Sequence, residues 1–234
     1  MSIKTEYALE AHALVKNYEG GLIPAVKGAS LRLKHERIYA LMGPSGCGKS
    51  TLLNLIGTLD TAENGTVLYE GKKVETWRSL AYFRREYIGF VFQSHHLLPV
   101  LTLRENVETA LLFRTTLNQE QPMQERVKEI LEEMGLAHRM DALASNVSGG
   151  ERQRTAIARA LVSNPRLILA DEPTGNVDSE TSERIMRALR KRISQTGATA
   201  LIATHDPNVS AYADTLLLMK DGKIEAIENA NSVF

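Results

Sequence analysis

Gly43-Pro44-Ser45-Gly46-Cys47-Gly48-Lys49-Ser50 packs three glycines, a lysine and a hydroxyl into eight residues. The spacing is G-x-x-x-x-G-K-S/T, which lets backbone N–H groups turn inward around phosphate oxygens. A helix opening at its end adds the positive end of its dipole. Lys49 would neutralise charge on the β- and γ-phosphates, and the Ser50 hydroxyl would ligate Mg²⁺. At average residue frequencies a chance match in a chain this long has a probability of roughly 1%. The spacing therefore points to nucleotide binding.

Leu167-Ile168-Leu169-Ala170-Asp171-Glu172 is an apolar run that ends in two carboxylates. Ligands of α/β proteins sit at the carboxyl ends of strands. There, Asp171 would reach Mg²⁺ and Glu172 would polarise a water for attack on a γ-phosphate. Alone, the pair reads equally well as an exposed acidic turn; the phosphate loop is what favours the chemical reading. His205 follows the apolar run 198–204 and is either a γ-phosphate reporter or a turn histidine before Asp206-Pro207. Ser148-Gly149-Gly150-Glu151 carries two compatible readings. It is a helix cap in which Ser148 and Glu151 satisfy orphan amides. It is also an anion site, because Gly149 and Gly150 bare backbone N–H groups at a helix start. Cys47 is either a small residue that fits the loop or a reactive thiol, alkylated by N-ethylmaleimide more slowly under Mg-ATP. His95-His96 is not read as a metal site, since adjacent histidines rarely face one ion and no acidic ligand stands at helical spacing.

These residues need elements to hold them. Ile38–Met42 reads as a buried strand running into the phosphate loop, and Ser50–Leu59 as the helix after it. Thr66–Tyr69 and Ile88–Phe92 read as further strands. From about Gln93 to Ala158 strand signals vanish. Thr102-Leu103-Arg104-Glu105 is a capping box opening a helix to about Thr116, Pro122–Met134 is a second helix closed by Gly135, and Ser148 opens a third toward Val162. Strand signals return at Leu167–Ala170 and Ala198–Ala203, followed by a hairpin around Asp221-Gly222. This alternation predicts a mostly parallel sheet covered by helices, with a helical subdomain inserted.

Apolar residues are 43% and charged residues 24% of the 234, ordinary for a globular protein and against a disordered one. The 28 basic and 28 acidic residues cancel, so no bulk basic footprint for nucleic acid or anionic lipid is present. With Cys47 as the one cysteine, no intrachain disulfide forms and a reducing compartment is expected. Met1–Glu6 lacks the apolar core of a signal peptide. No apolar run is long enough to span a membrane, so a membrane role would come through a partner.

As an ordered set the motifs resemble the nucleotide-binding subunit of an ABC transporter over nearly the whole chain. Tyr18 matches the aromatic that stacks on adenine, Gly43 to Thr51 Walker A, and Gln93 the Q-loop glutamine. Ser148 to Glu151 matches the signature motif, Leu167 to Glu172 Walker B, Gly175-Asn176-Val177-Asp178 the D-loop, and His205 the switch histidine. Phe92 to Pro99, Ser148 to Arg154 and Ala170 to Asp178 are most similar to the lipoprotein-releasing and macrolide-exporting branch. Val147 and Glu151 depart from the broad pattern, Glu151 in the manner of this branch, and Val177 stands where the branch has leucine.

The resemblance implies a P-loop NTPase (RecA-like) α/β core with a mostly parallel sheet, an antiparallel β subdomain and a helical insert. Residues 1–92 and 159–234 would form the ATP-binding core, and 93–158 the helical subdomain. ATP and Mg²⁺ are the implied cofactors. Gly43, Pro44, Ser45, Gly46, Cys47, Gly48, Lys49, Ser50 and Thr51 would bind nucleotide with Tyr18. Ser148, Gly149, Gly150, Glu151 and Asp178 would do so from a second subunit packed head to tail. Glu172, His205, Gln93 and Lys49 would be catalytic, and Ser50, Gln93 and Asp171 would hold the metal. The partners would be a second copy and membrane permease subunits, with no nucleic acid, at the cytoplasmic face of the inner membrane. The work would be lipoprotein release or the export of peptides or hydrophobic small molecules. FtsE-like gating of a cell-wall hydrolase is one alternative, and a soluble ATPase acting on DNA or ribosomes is another.

Overall fold

The computed structural model describes residues 5–112, 114, 122–175 and 177–229. Two long strands come first, β1 (Tyr7–Tyr18) and β2 (Ile23–Lys34), then β3 (Ile38–Met42) and α1 (Lys49–Ile56). β4 (Asn64–Tyr69), β5 (Lys72–Lys73), α2 (Leu80–Tyr87) and β6 (Ile88–Val91) follow. Three helices come next: α3 (Leu103–Glu108), α4 (Met123–Glu133) and α5 (Gly149–Leu161). The chain then alternates through β7 (Leu167–Asp171), α6 (Ser179–Thr196), β8 (Thr199–Ala203), α7 (Pro207–Ser210), β9 (Thr215–Lys220) and β10 (Lys223–Asn229).

Six strands form one sheet in the order β10-β9-β3-β8-β7-β6, parallel except for the β9–β10 hairpin. Its neighbour is an antiparallel sheet in the order β2-β1-β4-β5. The two-residue period of a strand sends alternate side chains to opposite faces, and here both faces are buried. Tyr39, Leu41, Leu167, Leu169, Leu201 and Leu217 pack toward the antiparallel sheet, with Leu9, Leu14, Val26 and Leu33. Ile38, Ala40, Ile168, Ala170, Ala200 and Leu216 pack on the other side, with Leu103, Val107, Ile130, Leu131, Ile157 and Leu189 from the helices. A strand covered on both faces reads as a continuous apolar run, which is why Ile38–Met42 and Leu167–Ala170 stand out in the sequence.

The helical run differs from expectation at one end. α3 begins at the predicted box, where Thr102 N donates to Glu105 Oε2 at 2.8 Å and Glu105 N to Thr102 Oγ1 at 3.2 Å. It stops at Glu108 instead of continuing toward Thr116. Ala110 and Leu111 already bond to carbonyls three residues back, the tightened pattern of a helix ending. Residues 115 and 116 lie outside the described segments. The expected division at residue 158 falls inside α5, which continues to Leu161. β1, β2, α2 and the long α6 were not read from the residues.

Asp214 locks three elements. Its carboxylate accepts from Ile38 N at 2.8 Å, and from Arg190 Nη1 and Nη2 at 2.8 and 2.9 Å. Partial burial pushes its carboxyl up, but Arg190 and the Ile38 amide outweigh this and hold it below the ordinary carboxylate range. A depressed folded pKa contributes stability above the unfolded value and loses it as pH falls through the folded one. Asp214→Asn should therefore cost about 1–2 kcal/mol at neutral pH. In urea melts that difference should shrink as pH falls from about 4, where the unfolded carboxyl protonates, through the lower folded value.

Candidate active site

β3 ends at Met42, and α1 begins at Lys49 with Gly48 as its N-cap at φ +105°. The loop between them is pressed against backbone on both sides. A Cβ at Gly43 would lie 2.1 Å from Met219 O, and one at Gly48 would lie 2.2 Å from Ala25 O. Gly222, in the β9–β10 turn, donates to Cys47 O at 3.0 Å and accepts from Lys27 N at 2.8 Å. One turn residue thus ties the loop to both sheets. Lys49 is 8% exposed and donates to Gly43 O at 2.8 Å and Pro44 O at 3.0 Å.

A cavity of about 590 Å³ opens over this loop, lined by Ser45, Gly46, Gly48, Lys49, Ser50 and Thr51. Tyr18, Ile23, Pro24 and Ala25 line it from the antiparallel sheet, and Gln93, Asp171, Glu172 and His205 from the ends of the parallel strands. Its size suits a cofactor-sized ligand. Gly43, Pro44 and Cys47 are not on its wall; the first two act through the carbonyls that hold Lys49.

Asp171 closes β7 and lines the cavity with Ser50. Burial pushes the carboxyl up, Ser50 opposes that, neighbouring Glu172 adds to it and Lys49 counters. Glu172 continues the sheet with one bond, its N–H to Ala203 O at 2.9 Å, then turns left-handed at φ +45°. Its Oε1 lies 2.7 Å from His205 Nδ1, and its Oε2 accepts from Thr204 Oγ1 at 3.3 Å. In that pair the carboxylate accepts from Nδ1–H. Fully buried Thr204 was missed from sequence; a threonine ending an apolar strand gives no separate signal.

Gln93 lies two residues beyond β6. The segment after it takes two successive left-handed residues, His95 at φ +62° and His96 at φ +46°. Arg159 of α5 donates to both of their carbonyls, at 2.7 and 2.6 Å. Tyr18 ends β1 at the cavity rim, 37% exposed.

The structure does not bring the remaining predicted residues into the cavity. Ser148 caps α5: its Oγ accepts from Glu151 N at 3.2 Å, and its N–H donates to Glu151 Oε2 at 2.8 Å. The Ser148 backbone amide is the chief reason the Glu151 carboxyl is held down, and Arg139, at 3.2 Å, adds to it. Asp178 caps α6 by accepting from Thr181 N at 2.8 Å. A Cβ on Gly150 would lie 3.6 Å from Val177 Cγ1, so the start of α5 sits against the segment leading to Asp178. Asn176 lies outside the described residues. Ser148, Gly149, Gly150, Glu151 and Asp178 therefore form a second group, away from the cavity wall.

The family model described as ABC transporter matches residues 26–175. The lipoprotein-releasing system ATP-binding protein LolD of Geobacter metallireducens is 42% identical, over 93% of this chain and 98% of its own. The macrolide export ATP-binding/permease protein MacB of Shigella flexneri is 40% identical over 95% of this chain but only 35% of its own length. Among solved structures, an ATP-binding cassette of Methanocaldococcus jannaschii, dimeric in a post-hydrolysis state bound to ADP and Pi, superposes with a TM-score of 0.88. That superposition is at 38% identity and covers 95% of this chain and 98% of that one.

Cys47 corrects one expectation. Its side chain is 5% exposed, turned into the core beneath the loop and packed with Leu52 and Met219. Alkylation therefore has to wait for the loop to open, whatever occupies the cavity. N-ethylmaleimide should label the folded protein at least about tenfold more slowly than the urea-unfolded chain, as mass spectrometry of timed aliquots would report.

Proposed function

The chain belongs to the ABC transporter family, and from that membership we propose that it is the ATP-hydrolysing subunit of a membrane complex that releases lipoproteins or exports hydrophobic cargo. The observation that carries the reading is the convergence of Lys49, Ser50, Asp171, Glu172 and His205 on one cavity. Strand ends and a helix start meet there, the arrangement that phosphoryl transfer requires.

Each residue then has a task. The N–H groups of the loop and the start of α1 receive phosphate oxygens. Lys49 exchanges its two carbonyl partners for phosphate oxygens, a stronger charge-assisted pairing. Glu172, turned from the metal side by its left-handed backbone, accepts the proton of the attacking water. His205 and Thr204 hold that carboxylate from two sides. His205 also presents its second nitrogen toward a γ-phosphate.

Mg²⁺ fits the residues present. The Ser50 hydroxyl and the Asp171 carboxylate put two hard oxygen donors on the wall of one cavity. Ser50, Asp171 and Gln93 are the side chains that would hold the ion. When bound, it supplies positive charge to the β- and γ-phosphate oxygens.

The second group, Ser148 to Glu151 with Asp178, supports a head-to-tail pair in which one copy completes the cavity of the other. The dimeric relative supports a pair of copies. Among the described residues no helix is long and apolar enough to cross a membrane. The subunit would thus act at the cytoplasmic face, through permease subunits.

Glu172→Gln tests the reading. The variant should keep Mg-ATP affinity within about twofold, while turnover falls about 10²- to 10⁴-fold. Tagged and incubated with Mg-ATP, it should retain a permease from gently solubilised membranes. Turnover at the wild-type rate would remove Glu172 as the base; ribosomal or DNA-bound partners with no permease would remove the transporter role.

A further inference from the structure

Asp60 has no place in the reading so far, yet both of its carboxylate oxygens are engaged beside the cavity. It stands in the turn that leaves α1, where its own amide bonds to Asn54 O at 3.2 Å. Oδ1 accepts from Lys16 Nζ at 2.7 Å and from Thr61 N at 2.7 Å. Oδ2 accepts from the Tyr18 hydroxyl at 2.8 Å. Thr51, in the first turn of α1, lines the same cavity as Tyr18. Lys16 is held in turn by Thr61 O at 3.0 Å, and its ammonium sits 5.2 Å from the centre of the Tyr18 ring.

The hydroxyl is what makes this arrangement informative. Stacking on a nucleotide base uses only the ring, so phenylalanine would serve equally. A ring at the open end of a strand, 37% exposed, keeps several rotamers unless its tip is fastened. Here the tip is fastened to a carboxylate by a charge-assisted bond, stronger than a neutral one. The anchor, Asp60, stands in the exit turn of α1, and α1 starts at the phosphate loop. One helix therefore sets where the phosphates sit and where the ring is held.

We propose that Asp60 is a positioning residue for the nucleotide base: through the Tyr18 hydroxyl it holds the ring at the cavity rim in the pose that stacks on adenine, and so raises ATP affinity without touching ATP. This rests on the reading of the cavity as the ATP site. The clamp is paid for before binding, since the ring loses its rotamer freedom in the free protein.

Calorimetric titration of the full chain with Mg-ATP and with Mg-tripolyphosphate, which has no base, separates this from a structural role. Asp60→Ala and Tyr18→Phe should each raise the ATP dissociation constant about five- to tenfold, the size of one net hydrogen bond. Tripolyphosphate affinity should stay unchanged. KM for ATP should rise with kcat at saturation preserved. In a Tyr18→Ala background, where no ring is left to hold, Asp60→Ala should have no further effect. Tyr18→Phe removes a single oxygen, so the proposal stays testable if Asp60→Ala unfolds. Equal weakening of both ligands would overturn it, as would an Asp60→Ala effect that persists without the ring, or ATP affinity unmoved in Tyr18→Phe. Wild-type protein that binds neither ligand would instead overturn the reading of the cavity, and the clamp with it.

Discussion

Everything at the cavity depends on how closely backbone approaches backbone around the phosphate loop. Met219 O and Ala25 O stand where side chains on Gly43 and Gly48 would be. Gly222 then ties Cys47 O to Lys27 N. The glycines serve two ends with one property. They free amides to face phosphate, and they let the parallel and antiparallel sheets close onto the loop from both sides. Thus β2 brings Ile23 to Ala25 to the same cavity as the strand ends. The loop also carries its own counter-ion, because Lys49 rests on its carbonyls at 2.8 and 3.0 Å.

Adjacent carboxylates at a strand end pose an electrostatic problem, and the fold answers it with backbone. Asp171 keeps the extended geometry of β7 and faces Ser50 and Lys49. Glu172 turns into the left-handed region and faces His205 and Thr204. Such a turn costs a non-glycine residue about 1–2 kcal/mol. In return, the two acids that repel each other in sequence acquire separate partners and separate duties.

The parallel sheet and the cavity were legible because their signals are local. A glycine-lysine-serine spacing and apolar runs ending in acids need no tertiary information. Capping boxes at Thr102 and Ser148 are three-residue reciprocal bonds, and both were found where expected. What escaped were elements whose pattern depends on a neighbour. β1 and β2 pair through several register shifts, which break the alternation that would have announced them. α3 was read too long because Thr109, Ala110 and Leu111 continue a helical pattern that the structure tightens and ends. Cys47 carried two readings, and its burial in a cluster that includes Met219, far along the chain, could not be read from the loop's own spacing. Thr204, Asp60 and Arg159 act on Glu172, Tyr18 and the segment after Gln93 across long stretches of sequence, so no spacing rule could pair them.

The segment after Gln93 shows how distant parts are coupled. His95 and His96 hold successive left-handed conformations that cost about 1–2 kcal/mol each. Arg159 keeps them there by donating to both carbonyls. Arg159 lies on α5, and α5 begins at the Ser148 cap and the contact between Gly150 and Val177. The same helix therefore holds the Gln93 segment near one end and carries the Ser148 to Glu151 cap at the other. Its thirteen residues span about 20 Å. One rigid element thus fixes the backbone of the Gln93 segment relative to that cap, through two carbonyls that no local sequence signal marks.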